Sequence, residues 1–194
     1  MKAIRLAVLL CAALSVAACL PVTTKNPIGT TAGFKADPAL LGMWKGRGED
    51  SDAREGYFAF LRNADGAMTV ILVTPENDGD EWSTFDLRTA TLGGNRIMNV
   101  RGGLKDGKPN DDELSKENIP LLYTLAGGKL TLSLLDEKAV AAAIKSGKID
   151  GTVDAGGTGD AHITADPAKL DAFFATREGA ALFGAKLVTL TKMN

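Results

Sequence analysis

Few side chains in this sequence can do chemistry. The one histidine, His162, lies between Ala161 and Ile163, with Asp160 and Asp166 near it in the chain. Imidazole is the commonest base for activating a nucleophile, so His162 is the candidate base of a hydrolase. No serine, however, stands in the G-x-S-x-G elbow that such a site often uses. The cysteines are Cys11 and Cys19, and with a single histidine they cannot form the usual nitrogen and sulfur shell of zinc. Acidic groups at Glu76, Asp78, Asp80 and Glu81, and at Asp111, Asp112 and Glu113, offer hard oxygen donors. Neither run has the spacing that wraps calcium, and both read as solvated loops. A carboxylate pair from distant strands would still serve glycoside hydrolysis without any local motif. The candidate binding residues are Trp44, Tyr57, Trp82 and Tyr123, whose rings suit the lining of a pocket. Trp82 shares strand parity with Thr84, Asp86 and Arg88, opposite Phe85 and Leu87, which takes it off the main apolar face. No metal and no cofactor is expected.

The start of the chain carries an address. Lys2 and Arg5 precede an apolar run of 13 residues over 6–18, and a spanning helix needs about 20. A basic start, a short apolar core and small residues at its end describe a secretory signal peptide. Its close, Val16-Ala17-Ala18-Cys19, resembles the lipobox of bacterial lipoproteins. That resemblance implies that the Cys19 thiol receives a diacylglycerol, that cleavage follows Ala18, and that the new α-amine is acylated. Leu20, and not Asp, follows the cysteine, which in that class implies the outer membrane, facing the periplasm. Cys11 would leave with the leader, so no thiol would remain for a disulfide, a metal or a nucleophile. Several acyl chains give stable anchoring where one is marginal.

Two glycine-rich stretches come close to known motifs without completing them. Residues 102–109 nearly spell a phosphate-binding P-loop, but Pro109 stands where a Ser or Thr should hold Mg²⁺. Gly156-Gly157-Thr158-Gly159-Asp160 resembles a calcium-binding β-roll repeat, which works only as a stack of copies, and this is a single one.

The elements that position these residues are mainly strands. Residues 20–36 hold two prolines and four threonines without a sustained period and read as a tether with a reach of about 20 Å, the alternative for part of the stretch being that Ile28 or Phe34 docks on the domain. Strands are expected at 40–46, 57–62, 67–74, 82–92, 96–101, 121–125 and 129–135, punctuated by Asp65-Gly66, Gly93-Gly94 and Gly127-Gly128 as hairpin turns. The nearly unbroken apolar run over 68–73 suits a central strand covered on both sides. Asp136 as N-cap, Leu135 and Val140 as a hydrophobic staple and Gly147 as C′ residue predict a helix over 137–146. Asp166 and Pro167 open a second over 167–178, with Leu170, Phe173 and Phe174 on one stripe. Short strands are expected at 148–153 and 161–164, and 186–192 closes the chain as a strand. The polar connection 104–120 is expected as a loop suited to a partner, with at most one helical turn over 111–117.

The fold class is therefore α+β and mostly β: an antiparallel sheet or barrel-like meander with two late helices and a C-terminal strand. The chain divides into a signal peptide (1–18), a lipidated flexible tether (19–36) and a single β-rich domain (37–194). Gly42-Met43-Trp44 at the first strand resembles the G-x-W opening of lipocalin-like barrels, a ligand-carrying family that includes envelope lipoproteins. A lipocalin places its helix after eight strands, whereas here two helices interrupt them.

The 194 residues are 45% hydrophobic and 24% charged, the balance of one globular domain. The net charge is −2, and 20 basic against 24 acidic residues remain once Lys2 and Arg5 leave with the leader. Such a chain lacks the cationic surplus of a nucleic-acid binder. The expected function is that of a membrane-anchored envelope lipoprotein, acting as a non-enzymatic binding or accessory module. Its partner would be an envelope protein, the cell wall or an apolar small molecule. The alternatives are a periplasmic hydrolase using Asp/Glu or His162, and a structural or assembly lipoprotein with no small ligand, whose interior would be filled.

Overall fold

Strands that are apolar at every second position must hide one face from water, and here eight of them do so by closing on one another. A computed structural model describes residues 21–48, 54–64, 67–75, 81–109, 113–154 and 161–193. The strands are β1 (Thr23–Thr24), β2 (Gly42–Gly48), β3 (Glu55–Arg62), β4 (Met68–Thr74), β5 (Glu81–Leu92) and β6 (Asn95–Lys105). They continue with β7 (Lys108–Pro109), β8 (Ile119–Ala126), β9 (Lys129–Leu135), β10 (Gly151–Val153), β11 (Ala161–Ile163) and β12 (Phe183–Lys192). The helices are α1 (Glu137–Lys145), α2 (Pro167–Phe174) and α3 (Arg177–Ala180).

Eight of these strands form an antiparallel barrel in which β2, β3, β4, β5, β6, β8, β9 and β12 are neighbours in that order, and β12 returns to β2. The meander is thus purely up and down, with the helices inserted before its last strand. Two of its hairpins turn on Gly93-Gly94 and Gly127-Gly128, all four with positive φ. This is the backbone that a two-residue turn needs to match the strand twist. The expected turn at Asp65-Gly66 lies outside the described residues.

The inward faces supply one core, including Trp44, Phe60, Met68, Leu87, Leu121, Leu130 and Leu190. A second core lies outside the barrel wall. There α1, α2 and the small sheet β1-β11-β10 bury Val140, Ile163, Leu170 and Phe174 against Leu92, Ile97, Leu135 and Phe183. Among the described residues, no helix is long and apolar enough to cross a membrane.

Four expectations need correction. The stretch read as a flexible tether is part of the fold over its described residues: Val22 and Ile28 are buried, and Thr23 and Thr24 pair in parallel with His162 and Ile163. Its docking is polar and specific. The Asn99 amide accepts from Ile28 N–H at 2.8 Å and donates to Ile28 O at 2.8 Å. Asp171 accepts from Gly29 N–H and Thr31 N–H at 2.6 Å each.

The helix expected over 167–178 ends at Phe174, because the Thr176 hydroxyl accepts from Gly179 N–H and caps α3 instead. The connection expected as loop over 104–120 carries a tight hairpin, β6 to β7, turned at Asp106 and Gly107 with positive φ, while its 3-10 turn at Glu113–Lys116 falls where one helical turn was allowed. Finally, β4 is covered on one side only: Met68 and Val70 are buried inside the barrel, while Ile71 and Val73 on its outer face are half-buried.

Candidate functional site

The barrel is not filled. A cavity of about 130 Å³ lies inside it, walled by Phe58, Phe60, Val70, Leu72, Phe85, Met98, Leu132 and Val188, with Arg54 and Thr74 at the rim. Strands β2 and β3 contribute glycines, not larger side chains, to part of its wall. Gly46 and Gly56 face each other across the strand pair, and both line the void together with Gly48.

One end of the barrel is shut. Leu40 and Trp44 are buried there, and Trp44 Nε1–H donates to Leu40 O at 2.7 Å. Lys192 Nζ lies 5.2 Å from the centre of the Trp44 ring, a distance at which a cation is attracted by an aromatic face. At the other end β2 and β4 finish and β3 and β5 begin, and the inward-facing Phe58, Leu72 and Phe85 there are only half-buried. Arg54 Nη1–H donates to Pro75 O at 2.9 Å, which places its guanidinium at this mouth.

The four aromatic residues expected to line one pocket are not brought together. Trp44 and Tyr123 are buried inside the barrel, toward its shut end, but neither lines the cavity. The Tyr123 hydroxyl donates to Asp37 Oδ2 at 2.9 Å. Burial first, then this hydrogen bond and the negative charge of Asp37, hold the phenol well above its ordinary range, with Arg96 pulling the other way. Tyr57 and Trp82 lie on the outer wall. Tyr57 pairs with Val73 and Val73 with Trp82, so they form one row across three strands. Strand alternation explains the error: their neighbours Phe58 and Ser83 take the inward positions. Trp82 is 37% exposed, and most of the loop over 74–81 that was the alternative cover for it lies outside the described residues.

His162 sits in the outer layer on β11, half-buried, with Nδ1 2.8 Å from Thr23 Oγ1. It is not part of the cavity wall, and its partner belongs to the docked N-terminal strand. Asp166 caps α2 by accepting from Lys169 N–H, and Asp160 lies outside the described residues. So do Cys11, Cys19, the glycine-rich 155–160, and the acidic residues Glu76, Asp78, Asp80, Asp111 and Asp112. Among the described residues no three of His, Cys, Asp and Glu come together as a metal site requires. The described residues around the cavity include no carboxylate, imidazole or thiol. What this arrangement can do is hold an apolar group away from water.

Residues missed at the sequence level are the phenylalanines. Phe58 and Phe60 share the parity of Gly56, and Phe85 that of Leu87, so the inward face of each strand was legible had the choice been made by parity instead of by ring type. Comparisons with protein-family models, with curated proteins and with solved structures each found no match to this chain.

Proposed function

We propose that this chain is a non-enzymatic binding module of a bacterial cell envelope, anchored through lipid on Cys19, which takes a small uncharged apolar group into its barrel. The observation that carries the reading is the cavity. A structural lipoprotein without a ligand would fill its interior, whereas 130 Å³ here is left open. The cavity opens at its mouth, so an occupant that covers its apolar wall gains about 25 cal/mol for each Å² removed from water.

Size and lining narrow the occupant. A core cavity of about 150 Å³ stays dry and binds a benzene-sized molecule, so this one suits a single ring or a short branched alkyl group. Polar side chains on its wall are confined to the rim at Arg54 and Thr74. A polar group pushed deeper would lose its hydration without a partner.

The anchor rests on the signal sequence and the lipobox resemblance. With residues 21–36 docked on the barrel, only residues 19 and 20 would separate the lipid from the fold, and a chain that short spans under about 10 Å. The domain would then ride against the bilayer with little freedom.

Native mass spectrometry of the full chain, expressed in a diderm bacterium and purified from its envelope, tests both halves. The expected result is a polypeptide beginning at Cys19 with a diacylglyceryl and acyl increment, retaining a small molecule that collisional activation releases. An unmodified thiol at Cys19 refutes the anchor. A chain that carries no small molecule, and takes up none when offered benzene or toluene, refutes the binding function.

A further inference from the structure

The shut end of the barrel carries a second depression, separate from the cavity and larger. It is a basin of about 530 Å³, within the range of small-molecule sites, about 300–1,000 Å³. Segment 34–36 forms one wall and the β3–β4 rim the other, and Met68 and Leu87, both buried, lie at its floor. Leu87 is shared with the cavity on the far side.

Three cations converge on this basin from separate parts of the chain: Lys35 from the docked segment, Arg62 from the end of β3 and Arg88 from β5. All three are exposed. Among the described residues, none of them makes an ion pair and no carboxylate lines the basin. Arg88 lies over the ring of Phe34, 5.5 Å from its centre, which puts its guanidinium at the edge of the depression. In a chain whose net charge is −2, gathering three cations with no carboxylate among the described lining residues raises their mutual repulsion. An anion placed between them removes it.

We infer that this basin binds a phosphate monoester bearing a small apolar group. Two guanidinium forks match phosphate oxygens in pairs, and the lysine adds a point charge. A phosphate monoester carries nearly two negative charges near neutral pH, which balances three cations better than a carboxylate does. The ring of Phe34 and the apolar floor then meet the ester's organic part. This site stands apart from the cavity proposed above and does not depend on it.

The test is a titration of the ¹⁵N-labelled full chain with phenyl phosphate, and separately with phenol, which has the same ring without the charge. The amides of Lys35 and Thr89, joined by a hydrogen bond from Lys35 N–H to Thr89 O, report on the basin, and those of Phe85 and Val100 on the cavity. Phenyl phosphate should shift Lys35 and Thr89 saturably and bind at least about tenfold more tightly there than phenol. The exposed double variant Arg62→Gln with Arg88→Gln should weaken it at least about tenfold. Should that variant fail to fold, raising salt tenfold on the unaltered chain supplies the same reading, since it weakens an exposed ionic contact and spares phenol. Dihexanoyl phosphatidic acid, kept monomeric, separates the sources: competition identifies a lipid headgroup, and its failure a soluble ester. The inference is overturned if neither phosphate compound moves Lys35 and Thr89, if only Phe85 and Val100 respond, or if the double variant, folded, binds as well as the parent.

Discussion

Gly46 and Gly56 are direct cross-strand partners in ordinary strand conformation, so replacing either by alanine changes only what a methyl group meets. At Gly46 that methyl would lie 2.5 Å from the backbone oxygen of Thr189 and 2.7 Å from Leu190 Cδ2. A backbone oxygen inside a barrel cannot retreat, and overpacking of this kind costs about 1–3 kcal/mol. At Gly56 it would lie 3.3 Å from Leu72 Cδ1 and 3.4 Å from Phe58 Cε2. Both of those side chains border the cavity, so each has room to give by a few tenths of an ångström.

Gly56→Ala then gains about 0.5–1 kcal/mol from lost freedom of the unfolded backbone. Burying one methyl adds up to about 0.8 kcal/mol, less the cost of the small shift. The net expectation is about 1 kcal/mol of added stability for Gly56→Ala, against a loss of about 1–3 kcal/mol for Gly46→Ala. Urea unfolding of both variants, with the slope unchanged, reads the two midpoints in opposite directions. If Gly56→Ala lost more than about 1 kcal/mol, or Gly46→Ala were neutral, the void on that side of the barrel would not be as described.

Other perturbations test other parts of the structure. Asn99→Ala strips the partners from the buried N–H and C=O of Ile28, at about 1–3 kcal/mol for each group. Its unfolding midpoint should fall accordingly and the Ile28 amide should exchange faster, whereas a change under about 0.5 kcal/mol with Ile28 still protected would mean that the segment is not clamped. For Tyr123 the folded phenol titrates above its unfolded value near 10. Its stabilisation is thus complete below about pH 10 and is lost as pH rises further, with a slope of up to about 1.4 kcal/mol per pH unit. Tyr123→Phe should remove that alkaline slope, and identical slopes in the two proteins would contradict the buried hydrogen bond to Asp37. The chain has only two tryptophans, so Trp82→Phe leaves the 1% exposed Trp44 as reporter and Trp44→Phe leaves the 37% exposed Trp82. Iodide should quench the second and spare the first, and the reverse order would place the shut end wrongly.

What could be read from the sequence was local. Asp136, Leu135, Val140 and Gly147 mark α1 because each acts on residues within a turn or two, and the paired glycines at 93–94 and 127–128 mark their hairpins for the same reason. Asp106-Gly107 carries a similar turn signal, but the strand that follows it, Lys108–Pro109, is too short to show an apolar alternation. Thr176 ended α2 through a cap that competed with continuing the helix.

The docking of residues 21–36 was open as an alternative from Ile28 and Phe34, but what holds it could not be read locally. It depends on Asn99 and Asp171, which lie 71 and 142 positions from their partners Ile28 and Gly29. Closure of the barrel is similar, since it requires β12 to fit between β9 and β2. The candidate site was half legible. Trp44 and Tyr123 do face the interior, but the wall of the cavity is made of phenylalanines, aliphatic residues and missing side chains. A void carries no chemical signature of its own.

The most direct check on the account is diffraction from crystals of the protein held under xenon, which enters dry apolar cavities of this size. A xenon peak should appear inside the barrel in contact with Phe58, Phe85 and Leu132, without displacement of the strands. Crystals that take up no xenon there, or that show ordered water or a side chain filling the space, would contradict the claim that this barrel is built to hold an apolar guest.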